Sequence, residues 1–148
     1  MPTMRFEIVT GERLLYSEDV ESVVAPGAAG ELGILPMHAP LLTTLSAGEL
    51  RVTKDGHEQA MAVTGGFLEV LGGTVTVLAD TAERAAEIDL ERAQQAIRRA
   101  EERIAARSAD LDLERAFAAL RRGRIRAEVA RRRRPGSQPA PPPPPPTG

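Results

Sequence analysis

Residues 31–42 read ELGILPMHAPLL, an apolar segment that two prolines and a histidine interrupt. Proline has no N–H to donate to a sheet ladder, so Pro36 and Pro40 exclude this stretch from a central strand. We therefore expect a bent surface loop that carries apolar side chains between two strands. Exposed apolar side chains on a loop are typical of a contact with another protein.

Short runs of alternating apolar and polar residues lie on both sides of this loop, as in half-buried strands. They cover residues 4–9, 20–25, 49–53, 59–63, 67–71 and 74–79. The pairs Asp55-Gly56, Gly65-Gly66 and Gly72-Gly73 supply the positive φ angles that hairpin turns need. Many short strands joined by tight turns predict a β-sandwich or flattened barrel over residues 1–86.

The chain after residue 86 contains an internal repeat of helical character. The sequence IDLERAQQAIRR at 88–99 returns as LDLERAFAALRR at 111–122. Apolar residues recur at spacings of three and four on both copies. They are Leu90, Ala93, Ile97, Ala100 and Ile104 on the first copy and Leu113, Ala116, Leu120, Gly123, Ala127 and Ala130 on the second. With Asp89 and Asp112 as N-caps or first-turn acids and a turn at residues 108–110, an antiparallel αα-hairpin is predicted over residues 87–134. The fold class is therefore α+β, with the strands first and the helices second.

The seam of the second predicted helix is built from small residues, since four of its six positions are alanine or glycine. Small groups bury little apolar area, and each Å² is worth only roughly 25 cal/mol, so we expect a weakly held hairpin. A static helical pair is the simpler interpretation. A mobile hairpin that exchanges its docking surface for another partner is the alternative.

The last fourteen residues, 135–148, include eight prolines. Such a composition packs as neither helix nor strand and predicts an extended, disordered polyproline tail. A docking ligand for an aromatic groove is a second interpretation of the same segment.

Composition excludes several classes of site. The chain has no cysteine, and His38 and His57 are its only histidines, so neither a thiolate metal site nor a zinc site is expected. No apolar run approaches the roughly 20 residues of a membrane helix. A glycine-rich phosphate loop with a lysine, a cysteine nucleophile and a nucleophile elbow are all missing, which indicates a non-catalytic protein.

Charge divides the chain as well, because residues 1–86 hold five basic and twelve acidic side chains while residues 87–148 hold fourteen and nine. Arg92 and Arg99 share one helix face, as do Arg122 and Arg126, so a folded hairpin could direct both pairs at one polyphosphate. A solvated face paired with nearby glutamates is the alternative. Those glutamates are Glu91, Glu101, Glu102 and Glu114.

The basic run at residues 121–134 also suits nucleic acid or an acidic protein. Base-stacking aromatics are scarce, with no tryptophan, one tyrosine and three phenylalanines. The scarcity of aromatic residues favours an acidic protein partner over nucleic acid.

The segments GELGILPMHAPL, GGFLEV and VTVLAD occur in that order, and together they resemble the epsilon subunit of F-type ATP synthases over about residues 4–134. The resemblance implies a subunit of the central rotor, whose sandwich is clamped to the gamma subunit and rests on the ring of c subunits. It also implies a peripheral position at the cytoplasmic side of the cell membrane. The rotor interface would contain Glu31, Leu35, Met37, His38, Leu41 and Leu42, with Glu31 near the ring and His38 near gamma.

The same resemblance gives the hairpin two roles. Its helices would extend along gamma towards the alpha and beta subunits of the catalytic head and brake ATP hydrolysis. They would also bind ATP as a regulatory ligand, with no cofactor required. The ATP site would comprise Glu83, Ile88, Asp89, Arg92, Ala93, Arg99, Arg122 and Arg126, of which Ile88 to Ala93 carry the I/L-D-x-x-R-A pattern. A constitutive assembly subunit, a free nucleic-acid adaptor and an independent enzyme remain as alternatives.

Overall fold

The computed structural model describes residues 2–11, 13–106 and 110–132, and within them eight strands precede two helices. The strands are β1 (Met4–Val9), β2 (Leu14–Val20), β3 (Ser22–Gly27), β4 (Gly30–Ile34), β5 (Leu41–Thr44), β6 (Gly48–Lys54), β7 (His57–Leu71) and β8 (Thr74–Arg84). A 3₁₀ turn at Ala85–Glu87 leads into α1 (Leu90–Ala105) and α2 (Asp110–Arg132). The predicted proline tail and residues 108 and 109 of the predicted turn lie outside the described residues.

The strands form a sandwich that confirms the predicted fold class. The hydrogen-bonded order is β2-β1-β8-β7-β6-β3-β4, and β5 adds to β7. Pairing is antiparallel throughout except between β1 and β8, which run parallel. One layer contains β2, β1, the first half of β8, the second half of β7 and β5. The other contains β4, β3, β6, the first half of β7 and the end of β8.

Strand β7 belongs to both layers because it changes partner halfway along. It pairs with β6 over its first half and with β5 over its second half. The change occurs at Gly65 and Gly66, where φ is 61° and 110°. The predicted hairpin turn at these two glycines is therefore wrong, since they bend one long strand instead of ending it. The predicted turns at Asp55-Gly56 and Gly72-Gly73 are confirmed.

Three further strand predictions need correction. The predicted run 20–25 is broken at Glu21, whose N–H is donated to the carbonyl of Thr53 (2.8 Å). Strand β2 was not expected, since its sequence LLYSEDV alternates poorly. The predicted loop 31–42 is shorter, because β4 and β5 take its ends and leave only residues 35–40 between them. Both prolines lie in that remaining loop, as their missing N–H requires.

Two apolar clusters stabilise the molecule. The first is the sandwich core, which among the described residues has eighteen buried members, including Phe6, Ile8, Leu50 and Leu68, and no residue of either helix. Phe6 meets Tyr16 edge to face, with ring centroids 5.6 Å apart. The second, smaller cluster joins the sandwich to the helices. Its nine buried residues are Ala60, Ala62, Ala85, Ile88, Leu90, Ala93, Ala127, Val129 and Ala130, six of which are alanine.

The helical hairpin forms as the repeat predicts. Asp89 caps α1, where its side chain accepts the Arg92 N–H at 3.1 Å. The seam residues Ala93, Ala100, Ala116, Leu120 and Ala127 are buried. Helix α2 also packs against the sandwich, which explains why Val129, outside the predicted seam, is 1% exposed. Neither helix, over the residues described, is both long and apolar enough to cross a membrane.

Candidate functional site

A cleft of about 580 Å³ opens where the sandwich meets the hairpin. Its walls include Arg13, Thr64 and Glu83 of the sandwich, Ala96 of α1, and Arg122 and Arg126 of α2. Among the described residues, three arginines and two carboxylates, those of Glu83 and Glu87, line it, which is an excess of one positive charge. A cavity of this size and charge suits a small anionic ligand.

Glu83 and Arg126 form a two-point ion pair across this cleft. The Arg126 Nε donates to Glu83 Oε2 at 2.7 Å, and Nη2 donates to Oε1 at 3.1 Å. The hydrogen bond to Glu83 raises the pKa of Arg126 above its ordinary value, and the negative charge of Asp89 adds to the effect. The pair therefore fastens α2 to the end of β8. It uses two of the five guanidinium N–H donors and leaves three for another acceptor.

Arg122 lies one turn before Arg126 and also lines the cleft. Its guanidinium has no hydrogen bond or ion pair with the residues that the structure describes. The structure thus brings together three members of the predicted ATP set at one cavity: Glu83, Arg122 and Arg126.

Arg92 and Arg99 are exposed and do not line the cleft themselves. They follow the spacing i, i+4, i+7 with Ala96, so all three share one stripe of α1. Ala96 forms the α1 wall of the cleft. Both arginines therefore lie one turn to either side of that wall, on the face that borders it.

The remaining three members of the predicted set have structural contacts in this arrangement. Asp89 caps α1, and Ile88 is 9% exposed within the small alanine-rich cluster. Ala93 is fully buried, and its methyl group packs in the same cluster.

Sequence reasoning missed the sandwich wall of the cleft. Arg13 lies just before β2, and Thr64 and Thr81 lie on β7 and β8, so helical periodicity carries no information about them. The one available signal was the scarcity of basic residues before residue 87, which makes Arg13 unusual in an acidic domain.

The loop between β4 and β5 forms a second candidate site. The Leu35 carbonyl accepts the His38 N–H at 3.2 Å, which closes a turn with Pro36 and Met37 at its centre. Met37 has φ of 69°, a conformation that glycine usually supplies at this place in a type II turn. Its side chain is 97% exposed. A strained residue that presents an apolar side chain to solvent marks a candidate contact point.

The other predicted interface residues are divided between solvent and core. Leu35 and Leu42 are exposed, and exposed Glu31 pairs with Arg51 at 3.4 Å. Leu41 is different, because it packs against the sandwich core. Neighbouring residues of a strand face opposite sides, so Leu41, which is only partly buried, presents less of its side chain than Leu42 does. Its place in the interface stays a prediction.

Exposed leucines and a phenylalanine continue from this loop across the outer surface of one sandwich layer. Phe67 and Leu78 are directly paired on β7 and β8, and each is about half exposed. We call Leu42, Phe67, Leu71 and Leu78 the apolar face. The sequence-based interface did not include its β7 and β8 members, because alternation alone does not say which side of a strand is covered.

Comparison with known proteins accounts for both parts of the chain. Residues 3–85 match the family described as ATP synthase, Delta/Epsilon chain, beta-sandwich domain. Residues 86–131 match the one described as ATP synthase, Delta/Epsilon chain, long alpha-helix domain.

Individual proteins agree with these matches. The ATP synthase epsilon chain of Pelotomaculum thermopropionicum is 57% identical over 103 residues, which cover 70% of this chain and 77% of that one. The epsilon chain of Herpetosiphon aurantiacus is 52% identical over 131 residues, or 88% of this chain and 96% of the relative. A chain in the cryo-EM structure of the Euglena gracilis mitochondrial ATP synthase shares the fold, with a TM-score of 0.63 at 24% identity over 86% of this chain and 77% of that one. This chain belongs to the ATP synthase epsilon-chain family, a family of non-catalytic subunits of the synthase.

Proposed function

We propose that this subunit occupies the central stalk of an F-type ATP synthase, where it couples proton-driven rotation to synthesis and restrains ATP hydrolysis through its helices. The observation that carries the proposal is the division into a sandwich with its own core and a hairpin joined to it mainly by alanine. A rigid unit can remain attached to the rotor while a weakly docked unit changes partner.

The sandwich binds the gamma subunit and the ring of c subunits. The loop at residues 35–40 and the apolar face supply adjoining apolar surface, and apolar side chains form the centre of protein interfaces. His38 stands on this loop towards gamma, and Glu31 stands towards the ring. In this proposal the subunit is peripheral, and its partners hold it at the cytoplasmic side of the membrane.

The interface is tested by co-purification with gamma and the c-ring. Met37→Asp and Phe67→Asp put a charge into the proposed contact and are expected to lower retention. His57→Asp is the control, because His57 is also exposed but lies at the start of β7, in the other layer of the sandwich. Equal retention of all three variants would contradict the proposed surface.

The hairpin acts as the brake. In the compact state it lies on the sandwich, and in the extended state its basic helices reach along gamma to the alpha and beta subunits. Hydrolysis by an alpha-beta-gamma head should fall when the full chain is added and should not fall with a chain that ends at Ala86. If both forms bind and neither slows turnover, the brake is excluded.

ATP is proposed as a ligand of the compact state. The cleft offers the guanidinium of Arg122, which pairs with none of the described residues, and the three remaining donors of Arg126. Arg92 and Arg99 border its α1 wall. A ligand that binds only one state shifts the equilibrium towards that state. ATP would therefore hold the hairpin away from the head when ATP is abundant. Millimolar ATP that left the melting temperature unchanged would count against this role.

A constitutive assembly subunit without a brake is the second candidate. The Glu83–Arg126 pair and the buried Val129 favour it, because both hold α2 against the sandwich. In that case truncation after Ala86 would leave the hydrolysis rate of the complete complex unaltered.

A further inference from the structure

We propose that Arg13 of the sandwich is a further phosphate ligand of the cleft, so that a bound polyphosphate bridges the sandwich and α2. The inference rests on the proposed nucleotide site and adds to it a residue outside the hairpin and outside the predicted set.

The position of Arg13 is fixed by its backbone. The Thr10 N–H donates to the Arg13 carbonyl at 3.0 Å, which closes the turn between β1 and β2. The residue lines the cleft along with Arg122 and Arg126 of α2. Arg13 belongs to the sandwich and the other two arginines belong to α2, so the three line one cavity from two separate parts of the fold.

The guanidinium group of Arg13 is available to bind a ligand. Its side chain is exposed, and its guanidinium makes no hydrogen bond or ion pair within the described part of the chain. Glu83, one of the two acids among the described residues of the cleft, is already neutralised by Arg126. Guanidinium groups bind phosphate oxygens in a two-point geometry, and opposed arginines suit a chain of phosphates better than a single one.

Because the ligand would bridge the sandwich and α2, its affinity depends on whether the hairpin is docked. A ligand held by α2 alone would stay bound when the hairpin moves away, and could not favour either state. A ligand that contacts both Arg13 and Arg122 loses one of these contacts when the hairpin extends. Arg13 thereby makes polyphosphate binding specific to the docked hairpin.

The test is titration calorimetry of the full chain with ATP, tripolyphosphate and adenosine. Arg13→Ala should weaken the binding of ATP and of tripolyphosphate about tenfold. This is the contribution expected of one charge-assisted hydrogen-bonding partner at a partly exposed site. Arg13→Lys should recover part of the loss. Arg5→Ala removes the same charge from the same domain, where Arg5 pairs with Glu7 and Asp19, and should bind as the wild type does.

A second readout separates ligand binding from stability. Without ligand, Arg13→Ala should melt close to the wild-type temperature, because the side chain is exposed and makes no hydrogen bond or ion pair with the described residues. With ATP, the wild type should slow hydrogen exchange along α2 more than the variant does.

The outcomes distinguish this inference from the proposed function. Equal ATP affinity in wild type and Arg13→Ala would overturn the role of Arg13 and leave the regulatory ATP site in place. If tripolyphosphate binds in an Arg13-dependent way and ATP does not bind, the bridging role of Arg13 is supported and the proposal that the ligand is ATP is overturned. Binding of neither ligand by the wild type would overturn both.

Discussion

Gly66 is a position at which the sandwich tolerates no side chain. A Cβ built there would overlap the Leu78 carbonyl oxygen of the neighbouring strand. The residue also has φ of 110°, which L side chains rarely adopt. Steric overlap with backbone cannot be relieved by a rotamer change, so the partner change of β7 depends on this glycine.

Gly66→Ala should therefore lower the free energy of unfolding by about 2–4 kcal/mol. Gly72→Ala is the matched control, since Gly72 has positive φ (57°) but nothing within 4 Å of the added carbon. The control should lose only about 1 kcal/mol, the conformational cost alone. Urea denaturation measures both, and equal losses would refute the steric explanation.

Met37 gives a second residue-scale prediction, because its backbone strain and its exposed side chain have different consequences. Met37→Gly should leave the free energy of unfolding within about 1 kcal/mol of wild type, since glycine accepts the positive φ but gains unfolded-state entropy. Retention by the rotor should still decrease, because the apolar contact is gone. Unfolding curves and co-purification measure the two effects, and undiminished retention would exclude Met37 from the interface.

At the scale of elements, one ion pair fastens α2 to β8. The two side chains are each 31% exposed, so solvent screens the attraction and we expect about 1 kcal/mol from the pair. Glu83→Gln should therefore speed hydrogen exchange along α2 by a few-fold, with a smaller effect at high salt. Glu69→Gln removes a charge from an exposed position on β7 outside the cleft and serves as the control. Unaltered exchange in Glu83→Gln would show that the pair does not hold the helix.

The elements also show what sequence could and could not predict. The hairpin was predictable because the seam repeats at helical spacing and because Asp89 is a strong capping residue. The length of β7 was not, since Gly65-Gly66 has the same local signature whether a strand turns or only bends. Which of the two happens depends on β5 and β8, whose contacts are distant in sequence.

The candidate sites, too, were predictable from the sequence only in part. Arg122, Arg126 and Glu83 were expected at one site, and the structure brings them to one cleft. Arg13 and the β7 and β8 members of the apolar face were not expected. Their roles follow from which side of a strand the rest of the molecule covers, and a single sequence does not contain that information.

For the whole molecule, the separation of the two apolar clusters has a testable consequence. Within the part of the chain that the structure describes, the sandwich core contains no helix residue, so a chain that ends at Ala86 should keep a cooperative unfolding transition. Its melting temperature should fall only by a few degrees, because truncation uncovers mainly the small side chains Ala60 and Ala62. Calorimetry of both forms measures this, and a truncated chain without a transition would show that the sandwich depends on the helices.

The six alanines of the smaller cluster also determine how the hairpin responds to temperature. The heat capacity change of any opening reaction grows with the apolar area that it exposes, by about 0.45 cal/K/mol for each Å². Undocking a surface made mainly of methyl groups exposes little such area, so its enthalpy hardly varies with temperature. The balance between docked and released helices then changes slowly and steadily across the range in which the cell grows, while the leucine- and valine-rich sandwich core has a strongly curved stability profile.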